Sequence, residues 1–172
     1  MTGVLYQAPL DGSLAPTALD QRTGLQVDEL VVTGTHVVYV ARLSLSNSAF
    51  RGLYSVPRDA SLAPLLLNGP AVGSTGAWAL ALAPNDRVLF RNAFTPFDFE
   101  LYAVPADGSL ARYRISAPMS NGRQMIAYAL SPDGQRVAYL ADQRTNGAFE
   151  LLATTVTGTA PPVPYRPEFR LR

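Results

Sequence analysis

Residues 101–110 read LYAVPADGSL, residues 53–62 read LYSVPRDASL and residues 5–14 read LYQAPLDGSL. Each copy opens on a short β-prone run. In the 101–110 copy, Asp107-Gly108 then supplies a tight reversal, with the glycine free to take positive φ. LARYRI, residues 110–115, resumes as a strand. Pro105 marks where ladder pairing should stop. A weaker fourth copy, LLATTVTGTAPP, starts at Leu151. The anchors Leu5, Leu53, Leu101 and Leu151 therefore recur every 48–50 residues, the interval at which four-stranded propeller blades repeat.

A second phrase falls between the anchors. Residues 128–141 read YALSPDGQRVAYLA. Ser131, Pro132, Asp133 and Gly134 form a strong turn signal between two β-prone runs. LALAPNDRVLF (80–90) and LVVTGTHVVYV (30–40) are worn copies of this hairpin, each read with a turn one residue shorter. Tyr39, Phe90 and Tyr139 take equivalent places. In the best copy the strands are expected at 126–130, 136–141, 149–154 and near 163–165. No stretch shows sustained helical periodicity. The expected fold is all-β, a partial β-propeller of four-stranded antiparallel blades, about three and a half per chain, with residues 1–172 forming one repeat domain. A closed ring usually needs at least four blades.

These residues resemble the WD40-like repeat of TolB-type β-propellers, a repeat that also builds the propeller domains of prolyl-oligopeptidase-like enzymes. The resemblance rests on Ser131, Pro132, Asp133 and Gly134, then Val137, Ala138 and Tyr139, then Glu150 and Leu151. It covers nearly the whole chain, but only the third copy keeps the turn. Pro84, Asn85 and Asp86 stand there in the second copy, and Gly34 and Thr35 in the first. The resemblance implies blades and not a binding site. It also implies a periplasmic or extracellular setting, which nothing else in the sequence addresses.

Composition narrows the functional classes. The chain has 48% hydrophobic and 16% charged residues, a net charge of +1 and no cysteine. Disulfides and thiolate chemistry are excluded. No basic stripe interleaved with aromatics suggests a nucleic-acid partner. No apolar run approaches the ~20 residues of a membrane span, and MTGVLYQAPLDG lacks the features of a signal peptide.

Candidate chemistry is sparse. His36, the single histidine, reads as a turn residue, because a hydrolytic base needs a nucleophile and an orienting acid around it. No G-x-S-x-G elbow occurs. Asp107 and Asp133 precede glycines and read as turn formers. Asp98 and Glu100 can share one strand face, as a carboxylate pair or as a solvated edge. Arg87 and Arg136 each open a second strand, as rim cations over apolar stems. Glycines 69, 73 and 76 lack the lysine of a phosphate loop and read as a connector. No catalytic, cofactor or metal residue is expected. Phe94, Phe97 and Phe99 are too many aromatics for a solvated loop and should pack on a neighbouring blade or a partner. The expected function is a non-enzymatic module for protein interaction or self-assembly into a closed ring, with a homodimer or other homo-oligomer as the partner state. The alternative is a non-catalytic propeller fragment of a larger, prolyl-oligopeptidase-like hydrolase.

Overall fold

The computed structural model describes residues 3–43, 50–69, 76–93, 98–119 and 122–165. Thirteen strands and no helix occur among them. They form three antiparallel sheets, stacked face to face in chain order as a partial β-propeller.

The third blade is the most regular. Its strands are β10 (Met125–Leu130), β11 (Arg136–Thr145), β12 (Ala148–Thr155) and β13 (Val163–Pro164), hydrogen-bonded in that order. The second blade repeats this order with β6 (Gly76–Ala83), β7 (Arg87–Ala93), β8 (Phe99–Pro105) and β9 (Tyr113–Arg114). The strand expected over 110–115 is shorter than its sequence pattern, and only Tyr113 and Arg114 pair with β8. The first blade holds the later part of β2 (Thr17–Val32), then β3 (His36–Leu43), β4 (Gly52–Pro57) and β5 (Leu65–Leu66).

The first hairpin is where the half blade lies. β1 (Gly3–Gln7) pairs with residues 17–20 of β2, whereas residues 25–32 pair with β3. Between these two parts the register jumps, from Gly3↔Leu25 to Leu5↔Asp20. This shift is a bulge or irregularity within β2, and Gly24 inside it has φ +76. Hydrogen bonding thus joins five strands, β1-β2-β3-β4-β5, into one sheet. Packing separates them. Leu5 and Leu19 lie against Val37, Tyr39 and Val56, on the face of the first blade turned away from the second. β1 and residues 17–20 therefore stand where a preceding blade would place its third and fourth strands.

The core is the stack of interfaces between these layers, and the same positions recur in each. Leu53 and Leu67 of the first blade meet Val88, Phe90, Tyr102 and Val104 of the second. Leu101 and Ile115 of the second meet Val137, Tyr139 and Leu152 of the third. Alternation along each second strand explains this: Val37 and Tyr39 face backward, Val38 and Val40 forward. Tyr39, Phe90 and Tyr139 are equivalent and buried. They stack on or pair with Tyr54, Tyr102 and Leu152 across the next strand.

Side chains also bond across the layers to backbone groups. Ser55 Oγ donates to Ala106 O. Tyr113 OH donates to Val156 O, the equivalent carbonyl one blade on, at 2.8 Å. Such bonds satisfy polar groups that the stack would otherwise bury unpaired.

Of the second-phrase turns, the second copy has the expected length, one residue shorter than the third, and the first copy does not. Thr33 N–H donates to His36 O, leaving two residues in the first turn. Ala83 pairs with Arg87, leaving three in the second. Ser131 N–H donates to Arg136 O, leaving four in the third. The first copy is thus two residues shorter than the third. Its Thr33 Oγ1 compensates by accepting from the N–H groups of Thr35 and His36, a side-chain substitute for a longer turn.

Candidate functional site

The turn residues singled out in the sequence hold the rim. Gly134 has φ +66, and its N–H donates to Ser131 O at 2.8 Å. Asp133 accepts from Ser131 Oγ at 2.5 Å and from Gln135 N at 2.9 Å. These bonds, the Ser131 hydroxyl foremost, hold its carboxyl below the ordinary range. A Cβ on Gly134 would overlap the Pro84 ring of the second blade's turn, so the turn also seats one blade on the next. Pro132 completes this turn between Ser131 and Asp133. Asp107 accepts from Ser109 N at 2.9 Å, and Gly108 at φ +67 donates to Pro105 O. Pro105 is the last residue of β8 to pair with β7. All of these are structural duties.

The remaining candidates disperse. His36 Nδ1 lies 2.8 Å from Thr35 Oγ1 on the rim. Glu100 is buried in the blade, where it accepts from Tyr102 OH at 2.6 Å and Met119 N at 2.8 Å, so it does not form a solvent-facing pair with Asp98. Arg87 places its guanidinium over the Tyr113 ring, 5.7 Å from the centroid, while Arg136 is exposed. Phe99 packs edge-on against Trp78 at 5.4 Å, with Arg91 over its other side at 4.4 Å. Its partners belong to its own blade. Phe94 and Phe97 lie outside the described residues. Among the described residues, no group of three His, Asp or Glu side chains converges as a metal site would require.

Two surfaces emerge that the sequence reading did not single out. The first is a groove of about 360 Å³ lined by the first strands β2, β6 and β10 and by Arg91 of β7. It carries Glu29, Arg91 and Tyr128. Each is already engaged with a neighbouring blade. Glu29 Oε1 accepts from Leu80 N at 2.8 Å, and Arg91 Nη1 donates to Ile126 O at 3.0 Å. Tyr128 OH donates to the carbonyls of Ala79 and Leu89. Burial lowers the Arg91 guanidinium and raises the Tyr128 phenol. These groups staple the blades together on the inner side.

The second surface is the forward face of the third blade. It continues into a groove of about 550 Å³ lined in part by Ala138, Ala153, Val163 and Tyr165. Leu151 is 44% exposed there, although its equivalents Leu53 and Leu101 are both 0% exposed. Tyr165 is 51% exposed, against 7% for Leu67 and 3% for Ile115. The anchor phase was the available signal: Leu151 is the fourth anchor, and among the described residues no further blade lies against it.

The sequence matches no protein-family model, and no curated protein matches it. Among solved structures, the chain is similar to a gluconolactonase from Xanthomonas campestris, at 18% identity and a TM-score of 0.45, covering 81% of this chain and 47% of that one. The chain thus spans about half the length of that structure.

Proposed function

We propose that this chain is a non-enzymatic interaction module, a propeller segment that joins another protein sheet through the forward face of its third blade, with a second copy among the sheets it can join. The observation that carries this reading is the exposure of Leu151 and Tyr165 at positions that the two earlier complete blades bury. A second observation supports it. At the other end of the stack the first hairpin covers Val37, Tyr39 and Val56 of the first blade. Among the described residues nothing covers Leu151 and Tyr165, and contiguous apolar surface of this kind marks interaction sites.

Light scattering across a concentration series tests the reading. The wild-type mass should rise above 18.5 kDa with concentration, and Leu151→Arg should hold the chain at that mass without lowering its melting temperature. A wild type that stays monomeric at every concentration removes the support for self-assembly. Hydrolysis of peptides or esters by the purified chain, abolished by His36→Ala, would overturn the non-enzymatic half of the reading.

A further inference from the structure

Arg91 carries a charge that no carboxylate balances. Its guanidinium lies partly buried on β7, 4.4 Å from the Phe99 ring centroid. A guanidinium has five N–H donors. Here Nη1 is spent on Ile126 O at 3.0 Å, while Nε is buried and has no partner. Among the described residues no Asp or Glu forms an ion pair with it. A bond to one carbonyl needs no guanidinium, because withdrawing that charge from water costs more than one neutral acceptor returns. The staple to the third blade therefore leaves most of the side chain's bonding capacity unused.

The groove that Arg91 lines has the make-up of a small-molecule site, apolar walls with a few polar groups. Its volume is about 360 Å³. Ala79, Leu80 and Ala81 of β6 form one wall, and Ala127 and Ala129 of β10 belong to the other. The short alanine side chains keep the space open. Leu80 and Ile126 each fall at a register shift of their strands. The Leu80 N–H goes to Glu29 Oε1 at 2.8 Å and the Ile126 carbonyl to Arg91. Glu29 and Arg91 thus line the same groove without forming an ion pair with each other. The Tyr128 phenol feels both: burial and then the Glu29 charge push it up, and the Arg91 charge opposes them. The groove draws on three consecutive blades, so it is built entirely within the described chain.

We propose that this groove binds a small aliphatic monocarboxylate. The carboxylate pairs with the Arg91 guanidinium, a charge-assisted contact stronger than a neutral hydrogen bond. The short apolar body lies against Ala79, Ala81 and Ala127. The bond to Ile126 O holds the guanidinium in place before the ligand arrives, which lowers the cost of ordering it. Glu29 sets the selectivity: its charge opposes a second negative charge on the ligand, so a monoanion is favoured over a dianion such as phosphate.

The test titrates the full chain with isobutyrate and follows the backbone amides by NMR. Saturable shifts at Leu80, Ala81, Ala127 and Tyr128, with a Kd on the order of 1 mM, are the expected result. Isobutyramide, which has the same shape and no charge, should bind about tenfold more weakly or less. Inorganic phosphate should be weaker than isobutyrate too, and Glu29→Gln should narrow that gap. Arg91→Gln should weaken isobutyrate binding by about tenfold or more. Ala127→Leu keeps Arg91 and fills the groove, so it should also abolish binding, and it keeps the test decisive where Arg91→Gln fails to fold. The proposal is overturned by the absence of saturable shifts in the wild type, by equal binding of isobutyrate and isobutyramide, or by wild-type affinity in a folded Arg91→Gln or Ala127→Leu chain. A gap between isobutyrate and phosphate that Glu29→Gln leaves unchanged overturns the role given to Glu29.

Discussion

At residue scale, the repeated turn shows what the backbone demands. Positions 12, 60, 108 and 158 keep the anchor spacing and have φ of 67°, 57°, 67° and 66°. Three are glycine, and Ala60 holds the same conformation at a steric cost. Gly134 adds a packing demand to a conformational one, since the Pro84 ring fills the space a side chain would need. Gly134→Val should therefore lower stability by about 2 kcal/mol. Gly12→Ala should cost less, because nothing lies within 4 Å of the added methyl. Thermal melts of the two variants measure the difference, and equal losses would show that the Pro84 contact contributes nothing.

A second residue-scale prediction concerns Asp20. It is 2% exposed and takes the Tyr39 hydroxyl at 2.5 Å and the Arg22 guanidinium at 2.6 Å. Burial alone would raise its carboxyl, but the bonds from Arg22 and Tyr39 outweigh this and hold it below the ordinary 3.8. A carboxyl lowered on folding stabilises the native chain above its unfolded value, and that stabilisation is lost as pH falls through the lowered folded value. Melting temperature should therefore fall in acid, below about pH 4. Asp20→Asn should flatten that dependence in part, since Asp11, Asp59, Asp107 and Asp133 are lowered as well. A pH profile identical to the wild type would mean that the Asp20 cluster does not hold the first hairpin in place.

At the scale of elements, the stack makes one residue type play two parts. Leu101 and Leu151 are equivalent anchors on third strands, one covered by the next blade and one not. Leu101→Ala leaves a cavity between the second and third blades and should cost about 2–5 kcal/mol. At concentrations where the chain is monomeric, Leu151→Ala should cost under about 1 kcal/mol, because its side chain then faces solvent. Chemical denaturation of both variants reads this contrast directly. Comparable losses would mean that the third-blade face is covered in solution, and light scattering would then show by what.

At the scale of the molecule, the half blade and the third blade make the two ends unlike. The first end is covered in part by its own hairpin, through Leu5 and Leu19 against Tyr39 and through Asp20 and Arg22, with Leu30 and Val32 left exposed. Among the described residues, nothing covers Leu151 and Tyr165 at the other end. A head-to-tail ring of two copies would need the open face to meet the covered one across that hairpin. Association through the third blade alone instead brings identical faces together and stops at two copies. The prediction is a mass that saturates near twice 18.5 kDa. Continued growth with concentration would mean that the covered end takes part.

Strand order, blade phase and the anchor positions were legible in the amino-acid sequence because they arise locally. Alternation along a strand and Asp-Gly or Ser-Pro-Asp-Gly at its end act over a few residues, and repetition at 48–50 residues makes each weak signal support the others. The chain therefore declares β11 through Tyr139, and the half blade through its phase. Turn lengths were less legible, since Thr33 replaces missing backbone bonds with its hydroxyl. The tertiary structure alone decides which Glu and Asp side chains are buried, that Phe99 packs on Trp78 of its own blade, and that the first hairpin folds over Tyr39. Each depends on segments that meet only when strands pair and layers stack. The exposure of Leu151 follows the same rule: exposure is a property of what lies opposite, and no residue carries that in its own side chain.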